Sequence, residues 1–413
     1  MSRSQATNSE EITEYSEKRV LINTVLDAFC FICGFYADDI LSMKEQVAKV
    51  IVDKNISISN KSAKDRSESL LALLKILFKE IIKNNPNLER IINFFLDNRL
   101  WEIVILSQIC SENIDARKDL ANKCSLIVSN SNITKNNNDI HFLYAIQYLK
   151  YLSLSLLNDI DPNNINFLMS QDKKLALLYR ETYQHYQKTN SLVLLKLSGM
   201  IIGKKGNIEY SEKIYKQYIT LLFNDDNKKQ EIGRAIYDLG KITEYYSCRG
   251  PYTKKTIHAA FNYYRMAYEY NSNNYMAGYK KAFLLKKERI SSENIIEVMR
   301  LRDSLNKIIE EKNDTLSTHI YQYNTINYLI IYNLITWKNS KNNQKYLDEL
   351  ESDYLKIESL WKYLYPYDED ILWKNELKKH LRVRIREKAD MLLTKRNETD
   401  KNLQKKLSNV NKT

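Results

Sequence analysis

Apolar positions recur at three- and four-residue spacing along most of this chain, the period of an amphipathic helix. Leu21, Val25, Phe29 and Ile32 make one stripe, and Ile40, Met43, Val47 and Ile51 make the next. Two further helices are predicted at Ser67 to Lys83 and Leu88 to Cys110. Between them lie Asn84, Asn85, Pro86 and Asn87, which favour a turn over continued helix. His141 to Leu157 carries Leu143, Ile146, Leu149 and Leu152 on one line. Ahead of all of these, residues 1–17 are polar and read as a mobile lead. The Asn-rich stretch 129–139 divides an N-terminal helical bundle, 18–128, from the rest of the chain. Asp161 with Pro162 reads as an N-cap with proline at the first helical position, where no N–H partner is needed. A calcium loop beginning at Asp159 fails, because Asn164 and Ser170 stand where glycine and glutamate are required.

Composition strengthens the helical reading. The 413 residues include only 8 Gly and 4 Pro, too few for the strand-to-helix turns of an α/β enzyme or the turns of a β-sandwich. The expected fold class is therefore all-α. Seven of the eight glycines fall between Gly199 and Gly278, so the centre of the chain differs in kind from its flanks. Leu195-x-x-x-Gly199 returns as Ile236-x-x-x-Gly240 and weakly as Gly278-x-x-x-Ala282. Ser211, Tyr215 and Tyr218 come after the first copy, and Ala260, Tyr264 and Ala267 after the second. A period near 40 with two helices per unit is a solenoid signal.

Over residues 191–285 the chain resembles the tetratricopeptide and Sel1-like repeat families. The resemblance implies an α-solenoid of helix pairs over 140–365, with the first helix of each pair lining a concave groove. Carried onto this sequence, the groove positions are Lys196, Met200 and Lys204, then Tyr237, Lys241 and Tyr245, then Tyr279, Phe283 and Lys287. Such a surface is aromatic and basic, suited to a peptide or protein partner with acidic groups. The implied function is a non-enzymatic scaffold or adaptor; a peptide-sensing regulator of tetratricopeptide type is a further possibility.

Charge adds a competing reading. The formal net charge is +12, and Ile371 to Thr413 alone holds 13 Lys plus Arg against 5 Asp plus Glu. Residues 366–396 form a basic amphipathic helix with Leu377, Leu381, Ile385, Ala389 and Leu393 on one face; 397–413 is a flexible tail. The helix is expected to cap the array, and its Arg382, Arg384, Arg386 and Lys388 are candidates for nucleic-acid contact. Ile201-Ile-Gly203-Lys-Lys-Gly206 also resembles the phosphate-contacting loop of KH domains, but no β-rich run flanks it.

Catalytic and metal chemistry find little foothold. Cys30-Phe-Ile-Cys33 has redox or zinc-knuckle spacing, yet its apolar flanks point to a buried, reduced pair. The five histidines are scattered, and no nucleophile elbow or metalloprotease motif occurs. The expectation is no enzyme activity and no cofactor. No apolar run is convincing as a membrane span, no signal peptide is visible, and the odd cysteine count suits the reducing cytoplasm.

Overall fold

Few breakers and long 3.6-period stripes yield a chain of sixteen α-helices among the described residues, with no strand. The computed structural model describes residues 2–53, 63–109, 114–131, 139–158, 160, 164–247, 254–271, 274–284, 292–336 and 340–364, with 394, 398 and 401. The helices are α1 (Ser2–Cys33), α2 (Ala37–Asp53), α3 (Ala63–Asn84), α4 (Glu89–Asp97), α5 (Leu100–Ile109), α6 (Ile114–Asn130), α7 (Ile140–Leu157) and α8 (Ile165–Thr189). They continue as α9 (Leu192–Lys204), α10 (Ile208–Leu222), α11 (Lys229–Ser247), α12 (Lys254–Tyr270), α13 (Tyr275–Leu284), α14 (Ser292–Glu310), α15 (Leu316–Thr336) and α16 (Ser340–Leu364). No helix among the described residues is long and apolar enough to cross a membrane.

Three helix starts share one device. Asp139, Asn164 and Asn207 stand just before α7, α8 and α10, and each side chain accepts the backbone N–H three residues on, at 3.0 to 3.1 Å. This moves the start of α8 from the expected Pro162 to Ile165, because Asn164 supplies the capping oxygen. Asp161 and Pro162 lie outside the described residues. At the other end of the chain, α1 reaches back to Ser2, so the segment expected to be a lead forms the first half of a 32-residue helix.

From α5 onward each helix packs on the next, and α7 also touches α9, as α9 touches α11. Inside the α9 to α12 stretch, glycine seats tyrosine twice. A Cβ on Gly199 would stand 2.9 Å from the Tyr215 ring, and one on Gly240 would stand 2.7 Å from the Tyr264 ring. Tyr215 and Tyr264 are fully buried, and Ser211 Oγ ties the first pair by donating to the Gly199 carbonyl at 2.7 Å.

Two helices near the C-terminus fold back onto the start of the chain. One apolar cluster takes in α1 to α9 and also Leu316, Tyr323, Tyr354, Ile357 and Leu360 of α15 and α16, with members on both sides of the expected boundary at 129–139. A polar latch fixes this return. Arg19 donates twice to Asp314 Oδ1, at 2.8 and 3.1 Å, while Asn23 donates to the carbonyl of Asp314 at 2.9 Å. Thr24 Oγ1 accepts the Leu316 N–H at 2.9 Å, so α1 supplies a cap for α15. His319 Nε2 reaches Asp314 Oδ2 at 2.7 Å, with both side chains fully buried.

Two outcomes test this packing. Gly240→Ala should lower stability by about 1 to 3 kcal/mol in chemical denaturation, because the Tyr264 ring is pinned by its hydroxyl on Glu244 and cannot yield. The latch should also make stability acid-sensitive. Burial holds His319 below its ordinary range, with nearby Lys356 adding to the effect. Burial opposes charge on Asp314 as well, but the hydrogen bond from His319 and the Arg19 guanidinium outweigh it and keep that carboxyl low. Both groups bind protons more weakly folded than unfolded, so stability falls as pH drops through roughly 6.5 and again through roughly 4. Urea midpoints measured across this range should show the upper step in the native chain and a smaller one in His319→Gln, since burial also lowers His185.

Candidate binding surface on the inner helix row

α7, α9 and α11 lie side by side. Three- and four-residue spacing aligns Tyr144, Tyr148 and Tyr151 along α7, Lys196, Met200 and Lys204 along α9, and Tyr237, Lys241 and Tyr245 along α11. α9 and α11 hold the first two sets of expected groove positions and α13 holds Tyr279 of the third, but the row of α7, α9 and α11 does not stand open along its whole length.

One end is filled by the turn between α1 and α2. Gly34 has φ +72° and lies against Tyr144, where a Cβ would approach the ring to 2.7 Å; only glycine satisfies both the backbone and the space. Phe35 stacks on His141 with centroids 4.0 Å apart, and His141 Nδ1 donates to the Cys33 carbonyl at 2.9 Å. Lys228 sits 4.2 Å from the centre of the Tyr36 ring. Next, the Ala37 N–H, at the start of α2, donates to Glu231 Oε2 at 3.1 Å.

Glu231 is the centre of this end. It is 3% exposed, and its Oε1 accepts from Lys196 Nζ at 2.7 Å and from the Tyr218 hydroxyl at 2.9 Å. Burial opposes its charge, but Lys196, Arg234 and these hydrogen bonds outweigh that and hold the carboxyl below the usual range. For Lys196 burial works in the other direction, and Glu231 with Asp238, 3.5 Å away, raises it above its ordinary value. The pair is therefore charged on both sides. A second carboxylate on α11 repeats the pattern: Glu244 accepts from the Tyr264 hydroxyl at 2.7 Å and from Lys280 of α13 at 2.9 Å.

The expected groove residues thus fall into separate settings. Lys196 is an internal ion-pair partner, its side chain 14% exposed, because a lysine in this packed row requires a carboxylate. Tyr237 is buried, with its ring 5.5 Å from that of Tyr264. Lys241 is exposed, its Nζ 5.9 Å from the Tyr237 ring centre. Tyr245 and Tyr279 lie on α11 and α13. Lys287, Arg382, Arg384, Arg386 and Lys388 lie outside the described residues.

At the other end of the row stands a cluster that groove reasoning captured only in part. Lys204, at the end of α9, is partly buried and is pressed by two cations, Arg117 of α6 and Lys241 of α11. Arg117 is held in place by donating from Nε to the Leu156 carbonyl at the end of α7, at 2.9 Å. Burial, with the charges of Arg117 and Lys241, lowers Lys204 to about 7. Arg117 carried no signal in the sequence, since its α6 neighbours are ordinary surface charges and its partner helices come much later in the chain.

A cleft of about 380 Å³ among α6, α7 and α8 shares none of these residues. Its polar groups satisfy one another, Ser125 with Ser153 at 2.9 Å and Lys150 with Glu181 at 2.9 Å. Cys30 and Cys33 are free thiols buried in the apolar core, and burial pushes both well above their ordinary range. Among the described residues no group of three or more His, Cys, Asp or Glu is placed to hold a metal.

Removing the Glu231 carboxylate should be costly, since Lys196 would keep only the longer contact to Asp238. Glu231→Gln is expected to lose about 3 kcal/mol in urea unfolding, and Glu231→Leu combined with Lys196→Met should recover part of that loss. Equal losses in the two variants would mean that the pair is not coupled. Comparison with protein-family models, with curated proteins and with solved structures finds no match for this chain.

Proposed function

We propose that the chain is a cytoplasmic, non-enzymatic helical-repeat adaptor that binds a peptide or protein partner bearing acidic groups. Exposed Lys241, an expected groove position on α11 with its Nζ 5.9 Å from the Tyr237 ring centre, carries this reading. Lys196 is matched from within by Glu231 and Asp238, and Lys280 by Glu244. A cation at the surface beside a tyrosine ring suits an acidic segment packing on α11. Helix-pair stacking supports the scaffold part of the reading, because the glycine-seated tyrosines give α9 to α12 a rigid base.

Immobilised peptides graded in net charge test this. Capture should rise with acidity and survive nuclease treatment. Lys241→Glu should weaken capture of the acidic peptides about tenfold with an unchanged melting temperature, because Lys241 is exposed. Capture that is indifferent to peptide charge would remove the reading.

A further inference from the structure

The cleft among α6, α7 and α8 involves no residue of α11, and its lining specifies what would fill it. We infer that it receives a single aliphatic monocarboxylate of medium chain length, with the chain on Val128, Leu154, Leu177 and Leu178 and the carboxylate at Lys174. The walls come from helices that the fold already holds together, α7 packing on α6 and on α8. Leu178 is buried, Val128 and Leu154 are half-buried, and Leu177 is 63% exposed although it lines the cleft. Hydrocarbon laid against these four side chains takes their surface and its own out of water, the main gain the site offers. The volume of about 380 Å³ suits a small ligand.

The polar groups of the lining narrow the choice, because most are already engaged. Ser153 donates to the Ala121 carbonyl at 3.0 Å, so Ser125 is the donor in the 2.9 Å contact between the two hydroxyls. Ser129 donates to the Leu126 carbonyl at 2.9 Å. Glu181 Oε1 accepts from Gln147 at 2.8 Å and from Lys150 at 2.9 Å. Burial opposes charge on Glu181, but these hydrogen bonds and the Lys150 ammonium outweigh it and hold the carboxyl below its usual range. A sugar, a nucleotide or an extended peptide would bring hydroxyls or backbone polar groups to walls with few free partners for them. An aliphatic chain brings none.

Lys174 is the exception. It lines the cleft from α8, is exposed, and meets no carboxylate among the described residues. Lys150 and Lys174 against Glu181 leave the lining with one net positive charge, which a monoanion matches. A cationic amphiphile would be repelled by that charge, and a polyanion would bring further negative charge against Glu181. The same balance disfavours the chain's own basic stretch, 371–413, as the occupant.

Isothermal titration of the full chain at neutral pH and low salt with hexanoate, octanoate, octanol and octylammonium tests this. Octanoate should bind about fivefold tighter than octanol, and tighter again than octylammonium. It should also bind about fivefold tighter than hexanoate, since two more methylenes leave water. Lys174→Gln should bring octanoate down to about the octanol level, and Lys174→Glu should turn the preference toward octylammonium. Both should keep the native melting temperature, because Lys174 is exposed. Ser129→Trp, which sets a ring over the cleft from an exposed position on α6, should weaken octanoate and octanol alike at least about fivefold. The acidic peptides expected at Lys241 should leave octanoate bound. Equal affinity for octanoate and octanol, or an octanoate affinity unchanged in Lys174→Gln, overturns the inference. So does the absence of any gain from hexanoate to octanoate, or of binding by all four compounds at millimolar concentration. Displacement of octanoate by the acidic peptides gives the cleft to the protein partner and overturns it as well.

Discussion

Everything in the middle of this molecule turns on two carboxylates of one helix. α11 carries Glu231 near its start and Glu244 near its end, and each takes a tyrosine hydroxyl and a lysine from the neighbouring helices. Glu231 draws on α9 and α10, and Glu244 draws on α12 and α13. A buried carboxylate without such partners would be strongly unfavourable, so each one dictates where two other helices must sit. Apolar contact alone would allow these helices to slide. The charged hydrogen bonds fix their register.

Glu231 also reaches beyond the helix pairs. Its second oxygen accepts the first N–H of α2, which brings the turn after α1 into the inner row, and α1 in turn grips the start of α15 through Arg19, Asn23 and Thr24. The N-terminal helices are therefore packed against α11 on one side and tied to α15 on the other. This arrangement differs from a simple open stack, in which each unit meets only its neighbours. A disturbance at the latch has a physical route to the inner row through the single rigid helix α1 and the turn after it.

What the sequence made legible is what depends on near neighbours. Helix content could be read from scarce glycine and proline and from apolar spacing. The Gly199–Tyr215 and Gly240–Tyr264 contacts join residues close along the chain, whose matching spacing the sequence displays. The register of Lys196, Met200 and Lys204 along α9 could also be read directly. What spacing could not show was which lysine would meet a carboxylate. Arg19 and Asp314 are 295 residues apart, and Ala37 and Glu231 are 194 apart. Neither pair has a local pattern, and a lone acidic residue in a first helical turn, as Glu231 is in α11, ordinarily signals favourable interaction with the helix dipole at the surface.

The contrast between Lys196 and Lys204 shows how neighbours set the charge of a lysine. They stand eight residues apart on the same line of the same helix, and the fold treats them in opposite ways. Lys196 is supplied with two carboxylates and held above its ordinary range, while Lys204 is supplied with two cations and held well below it. Burial acts on both in the same direction, so the difference lies in the neighbours.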